Sequence, residues 1–164
     1  DLVRSRGLGD VYKRQHHITG CVLANPLLED ILQDLYPERG ELSRIKSEIL
    51  HCIISHEDDI SCLSLEAGIS KTADGTDMAQ GRAQVAYRLG KADIHSLSAL
   101  TIERVEITEG LKKPVRVSVH MSNAAGVFQV ENGLMKKLYT SGIANQVEVV
   151  VMERGKELRL LTVE

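Results

Sequence analysis

The chain reads as an α+β protein, an all-helical half followed by a small β-β-α-β-β unit, and three observations predict it. From His16 to about Gln80 the apolar residues recur at three- and four-residue steps, the period of helices with one buried face. Beyond His95 the period falls to two, most strictly in VRVSVHM, where Val115, Val117, Val119 and Met121 alternate with Arg116, Ser118 and His120. Between two pairs of such strands lies one more helical stretch, so a small antiparallel sheet with a helix on its apolar face is expected. The implied organisation sets residues 1–15 apart as artefactual or disordered, with a helical unit over 16–92 and an α+β unit over 93–164.

Composition bounds the function classes. At 43% apolar residues the chain is an ordinary globular one, and nothing in it approaches the ~18 consecutive apolar residues of a membrane span. A net charge of −3 with 3% aromatics offers neither a basic stripe nor stacking platforms, which argues against nucleic acid as a partner. Cys21, Cys52 and Cys62 are odd in number and lack C-x-x-C spacing, a pattern that fits a reducing cytoplasm better than a disulfide framework.

The opening DLVRSRGLGDVYKRQ has no helical or strand period, and no apolar core follows its charges as a signal peptide would require. Its RGLGDVYKRQ resembles a translated sequencing adaptor of the kind that recurs at the ends of metagenomic fragments, so a fragment of a longer protein is expected. The first helix then runs from His16 to Tyr36, with Val22, Leu23, Leu27, Leu28, Ile31, Leu32 and Leu35 apolar and Pro26 kinking or restarting it. YPERG breaks the chain, and a second helix from near Glu41 carries Leu42, Ile45, Ile49 and Ile53 at helical steps. A third, from Ser64 to Gln80, is expected to bury Leu65, Ile69, Ala73 and Met78. In the second unit ERVEIT and VRVSVHM are strands, Val127 to Thr140 is a helix stopped at Gly142, and QVEVVVM and ELRLLTV are strands turning at Gly155. The small-residue loop SNAAG before that helix is a weak anion-site signal, since no phosphate-loop pattern accompanies it.

Candidate chemistry gathers between Ile49 and Arg82. Histidines and acids brought together there are the usual ligand set of a hydrolytic divalent metal. His51 and His56 are five apart, which leaves them ~140° away from each other on an unbroken helix. Both can serve one ion only if His56 lies past the helix end; otherwise His51 is an ordinary helix residue and His56 a C-terminal cap. Asp74 stands between Ala73 and Gly75, where a carboxylate is costly to bury unless paired or metal-bound, the alternative being a partly exposed acid in a frayed turn. Asp77, one helical row away, suits an outer role of orienting water or a ligand. Arg82, two turns from Asp74, is placed to grip a substrate phosphate or to pair with Asp77. His120 falls on the polar face of its strand and reads as a sheet-surface residue.

The apolar helix ending in I-x-x-H, then a loop, then E-A-x-x-x-x-x-A-D-x-x-D, resembles the C-terminal half of an HD-superfamily metal-dependent phosphohydrolase. DMAQGR, IHSLSA and MSNAAGVFQVE resemble archaeal-type members with an added C-terminal α+β domain. The resemblance implies that Asp74 is the last obligatory metal ligand. It also implies that the doublet His16–His17, with His16 opening the H-x-x-x-G that ends at Gly20, stands where two-metal members place an extra histidine, beside His51 and His56, the alternative being an exposed pair next to the adaptor-like junction. It implies a divalent metal cofactor and a small phosphorylated substrate, with the second domain covering the site, binding an effector or mediating homodimerisation, in an enzyme of the reducing cytoplasm that the cysteines suggest. The His-Asp pair that names the family does not occur in this chain, and the resemblance places it upstream of His16, so the chain by itself is expected to be inactive. The other reading is a non-catalytic regulatory or ligand-binding protein on an HD-like scaffold.

Overall fold

The computed structural model describes the backbone of residues 4–78 and 94–161 and the side chains of residues 15–78 and 97–161. In chain order the elements are α1 (Arg4–Leu35), α2 (Arg39–Ser55), α3 (Leu65–Thr76), α4 (Ile94–Ala99), β1 (Ile102–Glu109) and β2 (Val115–Met121). A continuous helix over residues 126–140 follows, built of α5 (Gly126–Val130), a π-helical stretch (Glu131–Met135) and α6 (Lys136–Thr140). β3 (Val147–Glu153) and β4 (Lys156–Leu161) complete the sheet. The α+β class and the order of the strand–helix–strand unit are those read from the sequence. Among the described residues no helix is long and apolar enough to cross a membrane.

α1 opens at Arg4 rather than His16, because the adaptor-like stretch continues the helix in spite of lacking a periodic face. Its straight-chain Arg, Leu and Lys residues carry enough helix propensity for that. Pro26 lies inside α1 without ending it, removing only the N–H that would bond the Val22 carbonyl. The face that α1 turns to α2 is His17, Cys21, Ala24, Leu28 and Leu32, at steps of three and four. Val22, Leu23, Leu27, Ile31 and Leu35, expected on the buried side, are exposed instead. Among the described residues the narrower stripe faces α2, with Gly20 admitting Ile53 Cγ2 to 3.3 Å of where a Cβ would sit. The Cys21 thiol also donates to the Leu50 carbonyl across the pair (3.3 Å).

α2 is capped by Glu38, whose carboxylate accepts from the Gly40 and Glu41 N–H groups, and α3 by Ser64, which accepts from Ala67 N–H. Of the core expected for α3, Met78 is buried just past the helix end but Ala73 is exposed. Leu65 and Ile69 are exposed, while Ala67, Gly68, Lys71, Thr72 and Gly75 are buried. Small residues at four-residue steps let α3 approach the following layer at backbone distance, and apolar bulk on that face would hold it off. A Cβ on Gly75 would meet Leu134 Cδ1 at 3.1 Å, and one on Gly68 would collide with the Ser141 carbonyl oxygen.

The sheet has the order β1-β2-β3-β4 and is mixed, not antiparallel as expected. β1 and β2 form an antiparallel pair, as do β3 and β4, but β2 and β3 run parallel in the register Val117↔Val149 and Val119↔Val151. The helix over 126–140 forces this, since it carries the chain back across the sheet so that β3 starts at the same end as β2. One face of the sheet meets that helix in a core of Val117, Val119, Met121, Val130, Leu134, Leu138, Val149 and Val151, with Met78 joining from the end of α3. Gly142 (φ 73°) stops the helix, and Arg154 and Gly155 (φ 48° and 80°) form the left-handed pair of a tight β3–β4 hairpin. In the SNAAG loop the small residue answers a packing need, because a Cβ on Gly126 would press on Thr101 Oγ1 and Met121 Sδ.

Candidate functional site

The site is built where α2 stops. The helix ends at Ser55, and His56 is its C-cap, so the loop His56–Ile60 leaves the helix axis and turns back over the N-terminal half of α1. His56 Nδ1 lies 2.5 Å from the Ile53 carbonyl. A carbonyl only accepts, so Nδ1 carries the proton and the neutral ring has its lone pair on Nε2. That nitrogen lies 2.7 Å from His16 Nε2, and the two rings sit edge to face with centroids 4.8 Å apart. With His56 in that form, the proton between the two rings belongs to His16 Nε2.

His17 points into the same place from the buried face of α1. It is 7% exposed, and its Nδ1 is a buried polar atom with no hydrogen-bond partner; the nearest acid oxygen, Glu57 Oε2, is 3.4 Å away. One ring nitrogen of His16, one of His17 and a Glu57 carboxylate oxygen all lie within 4.8 Å of one another. Sequence reading named His56 and the His16–His17 doublet and missed Glu57. Its signal was the H-E doublet facing the H-H doublet, which becomes a cluster only once α1 lies against the end of α2.

Two ammonium groups fasten the loop. Lys71, fully buried on α3, donates to the carbonyls of Glu57 (2.7 Å), Asp58 (3.3 Å) and Ile60 (2.7 Å). Burial pushes its pKa down, and the loop carbonyls are the partners that let it stay inside. Lys137 reaches the loop from α6 and donates to the His56 carbonyl (2.5 Å) while pairing with Asp58 Oδ1 (3.3 Å) and Asp74 Oδ2 (2.8 Å). The Thr140 hydroxyl adds a bond to the Asp58 carbonyl (2.8 Å).

The remaining sequence-derived candidates sort as follows. Asp74 lies on the last turn of α3 and is ion-paired with Lys137, which brings it to the same loop as His56. Asp77 is the C-cap of α3, its N–H donating to the Asp74 carbonyl (3.2 Å), so the two acids share the end of a helix rather than a regular face. His51 Nε2 accepts from the Leu63 N–H (2.9 Å), which spends its lone pair on the α2–α3 connection. Arg82 lies outside the described residues. His120 is on the sheet surface, bonded to Glu106 Oε2 (2.9 Å) and facing Arg104. Burial pushes the Cys21 and Cys52 thiols up, so neither is poised as a thiolate.

The donor chemistry fits a divalent transition ion. Imidazole nitrogens with one carboxylate suit zinc, iron or manganese better than the all-oxygen sets of magnesium and calcium. The orphaned His17 nitrogen is the group such an ion would satisfy.

Comparison with known proteins gives one clear relative. The chain is 43% identical over 139 residues, 85% of its length, to the protein described as "Uncharacterized protein MJ1020" from Methanocaldococcus jannaschii. The match covers 53% of that protein, so the chain spans about half the length of the curated relative it matches. No family model and no solved structure matches the chain.

Proposed function

We propose that the full-length protein is a divalent-metal-dependent phosphohydrolase of the HD type, acting in the cytoplasm on a small phosphorylated, nucleotide-like substrate. The observation that carries this reading is the reach of Lys137. One ammonium binds both the carboxylate of Asp74 and the carbonyl of His56, so residues separated in the sequence and singled out by the resemblance belong to one locus, with His16 against His56. A divalent ion held at this locus would supply Lewis acidity toward a phosphate ester. Asp74 contributes charge and a fixed donor direction. Asp77 orients its neighbour through the end of α3, and Arg82 is the candidate grip on phosphate. His51 keeps only a supporting part in this scheme, because its Nε2 is used by Leu63.

The test is hydrolysis of generic phosphate mono- and diesters by the full-length protein before and after chelation, with zinc, manganese or iron returned one at a time. Activity lost to the chelator and restored by a metal supports the reading; phosphate release indifferent to both rules it out. One observation favours the non-catalytic alternative: Lys137 already supplies Asp74 with a cation. A full-length protein that binds nucleotides without hydrolysing them would give that alternative precedence.

A further inference from the structure

We propose that a row of large aliphatic side chains left bare on α1 is the seat of a helix supplied by the part of the full-length protein outside this chain. Leu23, Leu27, Ile31 and Leu35 follow one another at steps of four and are 64%, 59%, 61% and 66% exposed. At ~100° per residue they form one ridge, running beside the narrower seam that meets α2. Apolar residues scattered singly are ordinary on a surface, whereas a continuous row rimmed by polar groups marks an interface. Rows at four-residue spacing are the ridges with which one helix enters the grooves of another, so the shape of the patch calls for a helix. From Leu23 to Leu35 the row is about 18 Å long, the length of a helix of roughly 12 residues.

Two observations choose the source of that helix. The curated relative holds nearly as much polypeptide again outside the half that this chain matches, enough for several helices. A second copy of this chain, by contrast, fits the ridge poorly. Asp30 and Asp34 are exposed along its outer flank, and no lysine or arginine lies between His16 and Leu35. Two copies of α1 packed antiparallel would set these acids against each other, and like charges brought together at a contact are costly. The covering helix is therefore an amphipathic one from the rest of the protein, with lysine or arginine on the edge that meets Asp30 and Asp34. With it in place α1 is gripped along two seams, by α2 and by the added helix. This proposal stands apart from the phosphohydrolase reading, because it concerns what covers α1 and not what the site does.

The experiment introduces a cysteine at Leu27 and, separately, at Gln33 on the polar side of α1. Maleimide labelling at the new position is followed by peptide mass spectrometry in this chain and in the full-length protein, at a dilution where light scattering shows a monomer. Leu27→Cys should react at least roughly 10-fold more slowly in the full-length protein than in this chain, as expected where labelling waits on local opening, while Gln33→Cys reacts alike in both. Equal rates for Leu27→Cys in the two would overturn the proposal. So would slowing seen in an oligomer and lost in the monomer, which would give the ridge to a second copy. Slowing of both positions by the same factor would also overturn it, since the cover would then not be specific to the ridge. If circular dichroism shows Leu27→Cys to unfold the full-length protein, Ile31→Cys takes its place with the same expected result.

Discussion

Buried lysines organise the candidate site as much as its histidines do. Lys71 is enclosed completely, and its three acceptors are main-chain carbonyls of the loop that carries Glu57. Replacing it with methionine keeps the volume and leaves those carbonyls unsatisfied. Lys71→Met should therefore cost about 3 kcal/mol, read as a lower urea midpoint at unchanged slope. A midpoint equal to the wild type would mean that water serves the carbonyls equally well. At this scale the sequence was partly legible. Asp74 stood out as a carboxylate among small residues that would be costly to bury, and the structure shows the alternative, an exposed acid in the last turn of α3. That it pairs with Lys137, sixty-three residues on, lay beyond any local pattern. Glu57 was hidden for the same reason, being an ordinary neighbour of a residue that had been noticed.

Among the elements, α3 shows why apolar periodicity misled. Leu65 and Ile69 invited a large-residue core, whereas the packed face is Ala67, Gly68, Lys71, Thr72 and Gly75. Close approach, not apolar bulk, sets that interface. Gly68→Ala would drive a methyl group into the Ser141 carbonyl oxygen and should destabilise by about 1–3 kcal/mol, although alanine is the better helix former. Greater stability in a thermal melt would show that α3 can shift away without loss. The strands were easier to read, because strict alternation leaves little choice of face. Their parallel central pair was missed, since period alone says nothing of direction.

Glu148 on β3 ties the β1–β2 loop to the sheet, its carboxylate accepting from the N–H groups of Leu111 (2.9 Å) and Lys112 (3.1 Å) beside Arg116. The Leu111 N–H first, then that of Lys112 and the Arg116 guanidinium, hold its pKa below the ordinary carboxylate range against the opposing effect of burial. A depressed folded pKa gives stability that is complete above the unfolded value of ~4.3 and disappears as pH falls through the folded one. Glu148→Gln should accordingly flatten the acid limb of a stability-versus-pH curve while lowering stability at neutral pH. An unchanged acid limb would mean that other carboxylates govern acid unfolding.

For the molecule as a whole, the helix over 126–140 is both the back of the sheet and the floor of the site. Leu134 belongs to the main core and also lies against Gly75 of α3, Lys137 binds the loop, and the Thr140 carbonyl accepts from the Cys62 N–H (2.8 Å). Contacts thus cross the boundary expected between 92 and 93. Leu134→Ala should lower the melting of helix and sheet together, by about 2–5 kcal/mol in one transition. Two separated transitions would mark the halves as independent.

The central proposal, a hydrolytic metal locus where α1 passes the ends of α2 and α3, is tested most directly through Asp74. Phosphate-ester hydrolysis and metal content by elemental analysis, measured on the same preparations of full-length wild type and Asp74→Ala, should show the variant folded, short of metal and inactive. Asp77→Ala should be milder, by roughly 10–100-fold. Full activity with full metal content in Asp74→Ala would contradict the account.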